Sequence, residues 1–124
     1  MCSAYDKLSD NEQIEYMILD ERLFSLAGGE KINPSDCEVV TVSGNSMSPE
    51  WQDGSRVILD KSRKDFIDGQ IFVFKLNNKC YIREICLMPD KTKAIPLNKD
   101  YEPFFISKND NLTIFGRILP KVRL

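Results

Sequence analysis

The sequence predicts a mostly β domain carrying one or two short helices. Three observations lead there. Apolar residues make up 42% of the 124-residue chain and fall in short runs rather than at sustained helical spacing. Turn pairs separate those runs: Asp53-Gly54, Asp68-Gly69 and Asn77-Asn78. β-branched and aromatic residues crowd the runs themselves, as in Ile71-Phe72-Val73-Phe74. The length suits one domain with a single modest core.

Residues 1–13 are polar and are expected to form a flexible N-terminal segment, with the folded domain over 14–124. Ile14, Tyr16 and Ile18 alternate with Glu15 and Met17, the period of a short strand. The competing sign is Ser9-Asp10-Asn11-Glu12, a capping-box pattern able to open a helix instead. The strand is preferred because Asp20 supplies a fresh cap for a helix over 21–27, which Gly28-Gly29 ends. Residues 30–36, with Pro34, connect to a strand over 38–42. Further strands are expected over 55–60, 70–76, 79–87, 93–97, 104–107 and 112–119. The 70–76 run is apolar enough to be covered on both faces. Asn77-Asn78 suits a two-residue hairpin, since Asn tolerates positive φ, and Pro120 is expected to close the last strand.

The chain is organised around Val42-Ser43-Gly44-Asn45-Ser46-Met47-Ser48-Pro49. A strand feeds this stretch, and a helix start is expected to follow, with Ser48 as cap and Pro49 at the first helical position. Ser46 then sits where unpaired amides point outward. That is a suitable place for a nucleophile, because free amides can hold a developing oxyanion. The plainer alternative is that Ser46 and Ser48 only cap.

Composition excludes several classes. Charged residues of mixed sign are 29% of the chain and the net charge is −2, which leaves no electrostatic footprint for nucleic acid. No apolar run approaches a membrane span and no secretory pattern opens the chain, so a soluble cytoplasmic domain is expected. Cys2, Cys37, Cys80 and Cys86 lack C-x-x-C spacing, and an even count alone makes no disulfide framework; three of the four lie within or beside apolar runs and read as small buried hydrophobes of a reducing cytoplasm. Histidine is absent, which removes Ser-His-Asp and Cys-His catalysis and most transition-metal sites; no metal or cofactor is expected. A nucleophilic Ser46 would need a lysine, a carboxylate or a chain terminus as its base, and no carboxylate stands out.

Several landmarks occur in one order: Ser43 to Pro49, Asp53-Gly54, Leu59-Asp60, Asp68-Gly69-Gln70-Ile71, Tyr81-Ile82-Arg83, Leu97-Asn98 with Tyr101-Glu102-Pro103, and Ile114-Phe115-Gly116-Arg117-Ile118. In that order they resemble the C-terminal domain of LexA-type repressors, phage repressors and UmuD, well over 38–119 and weakly over 16–24. The resemblance implies a LexA-like peptidase fold of short, strongly bent antiparallel sheets. It further implies a serine–lysine dyad that cleaves the protein's own linker, oxyanion donors among the amides of Asn45 and Ser46, and a homodimer. DNA would be reached only through a helix-turn-helix domain absent from this chain. A RecA filament or a lesion-bypass polymerase, both of the SOS response, are the other partners it implies.

Carried across residue by residue, the nucleophile falls on Ser46 and the general-base lysine position on Arg83, 37 residues later, the family's usual interval. A lysine near pKa 10.4 can be driven towards 7 by burial. Arginine starts near 13, so the same shift would need roughly 8 kcal/mol, comparable to the stability of a whole domain. Arg83 shares a strand face with Tyr81 and Ile85 and is expected to be partly covered, bound to a carboxylate or carbonyl or else to Ser46 Oγ. Lys79 lies on the same face but roughly 13 Å along the strand, and Lys75 would depend on hairpin register. The family's scissile Ala-Gly or Cys-Gly pair is missing from residues 3–12, and Ala27-Gly28 reads as a helix end.

The expectation is therefore the regulatory and dimerisation domain of a LexA- or phage-repressor-like transcriptional regulator, with self-cleavage lost or strongly impaired. Residues 112–124 are the candidate dimer surface, with Arg117, Lys121 and Arg123 reading as solvated charge. The rivals are a UmuD-like accessory subunit of a lesion-bypass polymerase and an active self-cleaving serine peptidase.

Overall fold

The computed structural model describes residues 5–7 and 34–123. Within them, eight antiparallel strands make one sheet: β1 Tyr5–Lys7, β2 Cys37–Val42, β3 Arg56–Asp60, β4 Ile71–Leu76, β5 Lys79–Leu87, β6 Thr92–Ile95, β7 Phe104–Ile106 and β8 Leu112–Arg123. Their spatial order is β1-β2-β3-β8-β4-β5-β6-β7. The described residues hold one 3₁₀ turn, Pro34–Asp36, and no longer helix. The mostly β expectation holds. The strand expected over 14–18, the helix over 21–27 and the Ala27-Gly28 pair lie outside the described residues.

β4 explains why so apolar a run exists. Paired on one edge to β8 and on the other to β5, it separates two clusters of side chains. Ile71 and Val73 face a core with Val40, Val57, Leu59, Ile82 and Ile118, while Phe72, Phe74 and Leu76 face another with Ile85, Ala94 and Ile106. Only Lys75 of this strand is exposed. Asn77 and Asn78 close the β4–β5 hairpin at φ 50° and 72°, the left-handed pair that a tight two-residue turn requires. Leu76 consequently pairs with Lys79, and Arg83 with Phe72.

The expected end of the last strand is corrected: β8 does not stop at Pro120 but continues to Arg123. Leu59 pairs with Ile118 whereas Val57 pairs with Arg123, so the residues between form an irregularity in the ladder. A proline is tolerated there because no regular ladder amide is needed from it. A second shift, between Val73 and Phe74, falls opposite Gly116. Shifts of this kind bend a strand and deepen its twist.

The expectation that Arg117 is solvated is overturned. β8 runs between β3 and β4, opposite Asp60 on one side and Phe72 on the other, so the side chain has no route to water. Arg117 is 4% exposed, its Nε lies 3.3 Å from Asp60 Oδ2, and its Nη1 donates to Gln70 Oε1 at 3.0 Å. Asp60 Oδ1 also accepts from Ser62, through the amide at 3.0 Å and the hydroxyl at 2.6 Å. The expectation of cysteines without a disulfide is corrected as well. Cys37 and Cys86 are free thiols, but Cys80 is disulfide-bonded, a pairing that spacing in a sequence does not reveal.

Candidate functional site

The chain leaves β2 at Val42 and reverses through Gly44, whose φ of +87° is left-handed and suits a residue without Cβ. A reciprocal pair of bonds fixes the turn. Gly44 N donates to Asp53 Oδ1 at 2.8 Å, and Asp53 N donates to Asn45 Oδ1 at 3.3 Å. The expected helix beginning at Ser48 and Pro49 does not form; residues 46–50 are a turn. Ser48 N bonds Asn45 O and Trp51 N bonds Met47 O, but the following amides have other acceptors. Gln52 N donates to Ser55 Oγ, Asp53 N to Asn45 Oδ1 and Gly54 N to Val42 O, so no helical ladder can continue.

Two apolar side chains anchor the turn from below. Met47 is fully buried and Trp51 is 3% exposed, both within the core that holds Val40 and Val57. Burial of such a side chain stabilises by about 1.5–3 kcal/mol. From above, Asn98 Nδ2 donates to Asn45 O and Asn98 N donates to Ser46 O, each at 2.9 Å. Asn98 Oδ1 in turn accepts from Asp100 N at 2.9 Å. Ser46 is thus carried on a loop held on three sides. Among the described residues, neither the Asn45 nor the Ser46 amide donates to a protein acceptor.

Arg83 arrives from β5. Its Nη1 donates to Ser46 Oγ at 2.8 Å and to Ile82 O at 2.8 Å. The guanidinium carbon lies 5.3 Å from the Tyr81 ring centroid and 5.7 Å from that of Phe104, within cation–π range. Arg83 is 8% exposed, and among the described residues its buried Nε has no hydrogen-bond partner. No carboxylate lies within salt-bridge reach of it among the described residues. Burial pushes its pKa down from the ordinary value, with Tyr81 and then Tyr101 opposing.

Ser46, Asn45 and Arg83, the three residues singled out in the sequence, therefore meet at one cleft of about 180 Å³, lined also by Ser43, Gly44, Cys80, Tyr81 and Tyr101. The Arg83 partners are a carbonyl and the Ser46 hydroxyl. Lys75 and Lys79 are both exposed and neither lines the cleft. A charged guanidinium has five donors and no acceptor, so it can orient Oγ but cannot take its proton. Sequence reasoning did not assign roles to Asn98, Asp53 or Tyr101. Asn98-Lys99-Asp100 carries a recognisable Asx-turn composition, which marks a structured loop, but nothing local shows that the loop grips Asn45.

Comparison with known proteins follows the same path. The Peptidase S24-like family model matches residues 3–119. An uncharacterised HTH-type transcriptional regulator of Haemophilus influenzae is 27% identical over 103 residues, covering 81% of this chain and 41% of the relative. A LexA repressor of Stenotrophomonas maltophilia is 25% identical over 103 residues, covering 82% of this chain and 44% of the relative. The chain thus spans less than half the length of these curated relatives.

Proposed function

Because the chain belongs to the Peptidase S24-like family, we propose that it is the regulatory and dimerisation domain of a LexA-like transcriptional regulator whose self-cleavage is lost or strongly impaired. The relatives support the regulator half of this reading, one by its HTH-type description and one as a LexA repressor. DNA would be contacted by a helix-turn-helix domain elsewhere in the full protein. Pairing of two such domains would then raise DNA affinity through effective concentration. Residues 112–124, the last strand and its tail, are the candidate pairing surface; the edges of β8 are taken by β3 and β4. The reading places the protein in the cytoplasm, and no helix among the described residues is long and apolar enough to cross a membrane.

One observation carries the second half: the 2.8 Å bond from Arg83 Nη1 to Ser46 Oγ. In the proposed reading Ser46 is the nucleophile position, Arg83 replaces the general-base lysine, and the Asn45 and Ser46 amides are the oxyanion donors. The base must arrive neutral. Lowering an arginine from about 13 to 7 requires roughly 8 kcal/mol of unfavourable environment, and a guanidinium stacked on two rings is not so placed. Incubating the full-length protein at rising pH, beside its Ser46→Ala variant, tests this by mass spectrometry. The reading expects no fragment that depends on Ser46; such a fragment would overturn it.

A further inference from the structure

We propose that the groove between the β5–β6 turn and the turn after β7 docks an acidic peptide segment with a bulky apolar anchor, supplied by a partner protein. The groove has a volume of about 300 Å³ and shares no lining residue with the Ser46 cleft. Its floor is the open end of the second core cluster, where Ile106 is buried and Phe66 and Leu112 are half-buried. Thr92 pairs with Ile106, so the β6–β7 ladder ties the two walls together. Each wall is a hydrogen-bonded turn. Met88 N donates to Lys91 O at 2.9 Å on one side, and Ser107 N donates to Asp110 Oδ2 at 2.8 Å on the other. A preformed groove spares the ligand the cost of ordering it. Four large apolar side chains are exposed among the described residues. Three of them gather here: Met88 lines the groove, Leu87 precedes it and Phe105 adjoins Ile106 on β7. Such clustering marks a contact surface in a way that scattered exposure does not.

Charge selects the occupant. Lys91 and Lys108 stand on the groove rim. Lys91 Nζ lies 4.2 Å from the Phe105 ring centroid, and Lys93 Nζ lies 6.0 Å from the same ring. Among the described residues, no carboxylate is within salt-bridge reach of these three ammonium groups. Asp90 is the one carboxylate lining the groove, and Asp110 turns its oxygens to Ser107 and Asn77. Three lysines against Asp90 leave the rim positive on a chain whose net charge is −2. Carboxylates of an incoming segment meet cations already held over an aromatic face, while its apolar side chain covers Ile106 and Phe66. A second copy of this chain fits less well, because a two-fold contact through this face sets lysine against lysine. Nucleic acid fits less well too, since an apolar floor offers a phosphate backbone nothing.

The test is fluorescence anisotropy of the whole chain with three labelled peptides: Asp-Glu-Leu-Phe-Asp-Glu, its counterpart with Lys at every acidic position, and its counterpart with Gly-Gly in place of Leu-Phe. The acidic peptide with its anchor is expected to bind about tenfold or more tightly than either counterpart. Raising NaCl from about 0.05 to about 0.5 M should weaken it several-fold, as screening requires. Lys91→Glu combined with Lys108→Glu should turn the preference towards the basic peptide. Amide NMR of the wild-type chain stands independently of that variant: the acidic peptide should shift Met88, Lys91, Ser107 and Lys108 and leave Ser46 in place. Failure of all three peptides to bind, equal affinity for the acidic and basic ones, or shifts confined to another surface would each overturn the proposal. So would tighter binding of a short oligothymidylate, or a self-association in sedimentation that Lys91→Glu abolishes, since each names a different occupant. None of these outcomes bears on whether Ser46 reacts, so the proposal and the non-cleaving reading stand or fall separately.

Discussion

Arg83 Nη1 stands 2.8 Å from Ser46 Oγ and donates to it. The contact joins residues 37 apart in sequence, one on the turn after β2 and one on β5. Its direction matters more than its length. A serine is activated by a neighbour that accepts its proton, and here the neighbour can only give one. The surroundings reinforce this polarity, since Tyr81 and Phe104 present ring faces that favour the cation.

The buried Arg117–Asp60 pair predicts a large loss of stability on truncation. Arg117→Ala leaves the Asp60 carboxylate in a site 3% exposed with, among the described residues, the Ser62 contacts alone. Stranding one partner of a buried pair costs about 3–5 kcal/mol. Urea denaturation should show this as a lower midpoint at unchanged slope. A loss below about 1 kcal/mol, the range of exposed pairs, would contradict the geometry.

Gly116 should reject any side chain. A Cβ built on it collides with the Asp60 carbonyl oxygen and crowds Leu59 Cδ1 at 3.1 Å. Both atoms belong to β3, which cannot retreat without opening its pairing with β8. Gly116→Ala should therefore destabilise by about 1–3 kcal/mol in the same assay, the range of overpacked cores.

Cys37 is predicted to be chemically silent in the folded protein. Burial, and then the charges of Asp60 and Asp36, push its thiol up to about 12. At pH 8 its thiolate is on the order of one part in ten thousand, while an ordinary thiol is substantially ionised. Iodoacetamide at pH 8 should modify Cys86 well before Cys37, with the difference vanishing in denaturant. Equal native rates would show that Cys37 is not enclosed.

The Asp110 carboxyl should titrate below the ordinary 3.8. The Ser107 amide lowers it most, at 2.8 Å, followed by the Asn77 side chain at 3.1 Å. A depressed folded value means that the contribution is present above the unfolded pKa and fades as pH falls through the folded one. Carboxyl NMR between about pH 2 and 6, the window of ordinary aspartate titration, should place its midpoint below 3.8, and Asn77→Ala should raise it.

Much of this was legible in the sequence because local chemistry and fold agreed. The turn pairs, the doubly buried β4 run and the Asn77-Asn78 hairpin each follow from residue type alone. The missed features share one origin, long-range pairing. Ser48-Pro49 carries a helix-start composition, yet acceptors at Asn45, Val42 and Ser55 capture the amides that a helix would have used. Arg117 is indistinguishable from a surface cation until β3 and β4 close around β8. Pro120 signals an end, but the ladder becomes irregular there and the strand passes through. At the site, Ser46 could be read from its local turn context and Arg83 from the family resemblance, whereas the clamp by Asn98 depends on a loop more than fifty residues away.

The central claim is that the residue at position 83 alone withholds the base from Ser46. Reaction with a serine-directed acylating probe, followed by intact mass and peptide mapping across pH 7 to 10, the range in which a buried lysine would lose its proton, tests it most directly. Arg83→Lys should acquire an adduct on Ser46 that grows with pH, while the wild-type protein and Arg83→Lys carrying Ser46→Ala remain unmodified. Equal labelling of wild type and Arg83→Lys, whether both react or neither does, would contradict it.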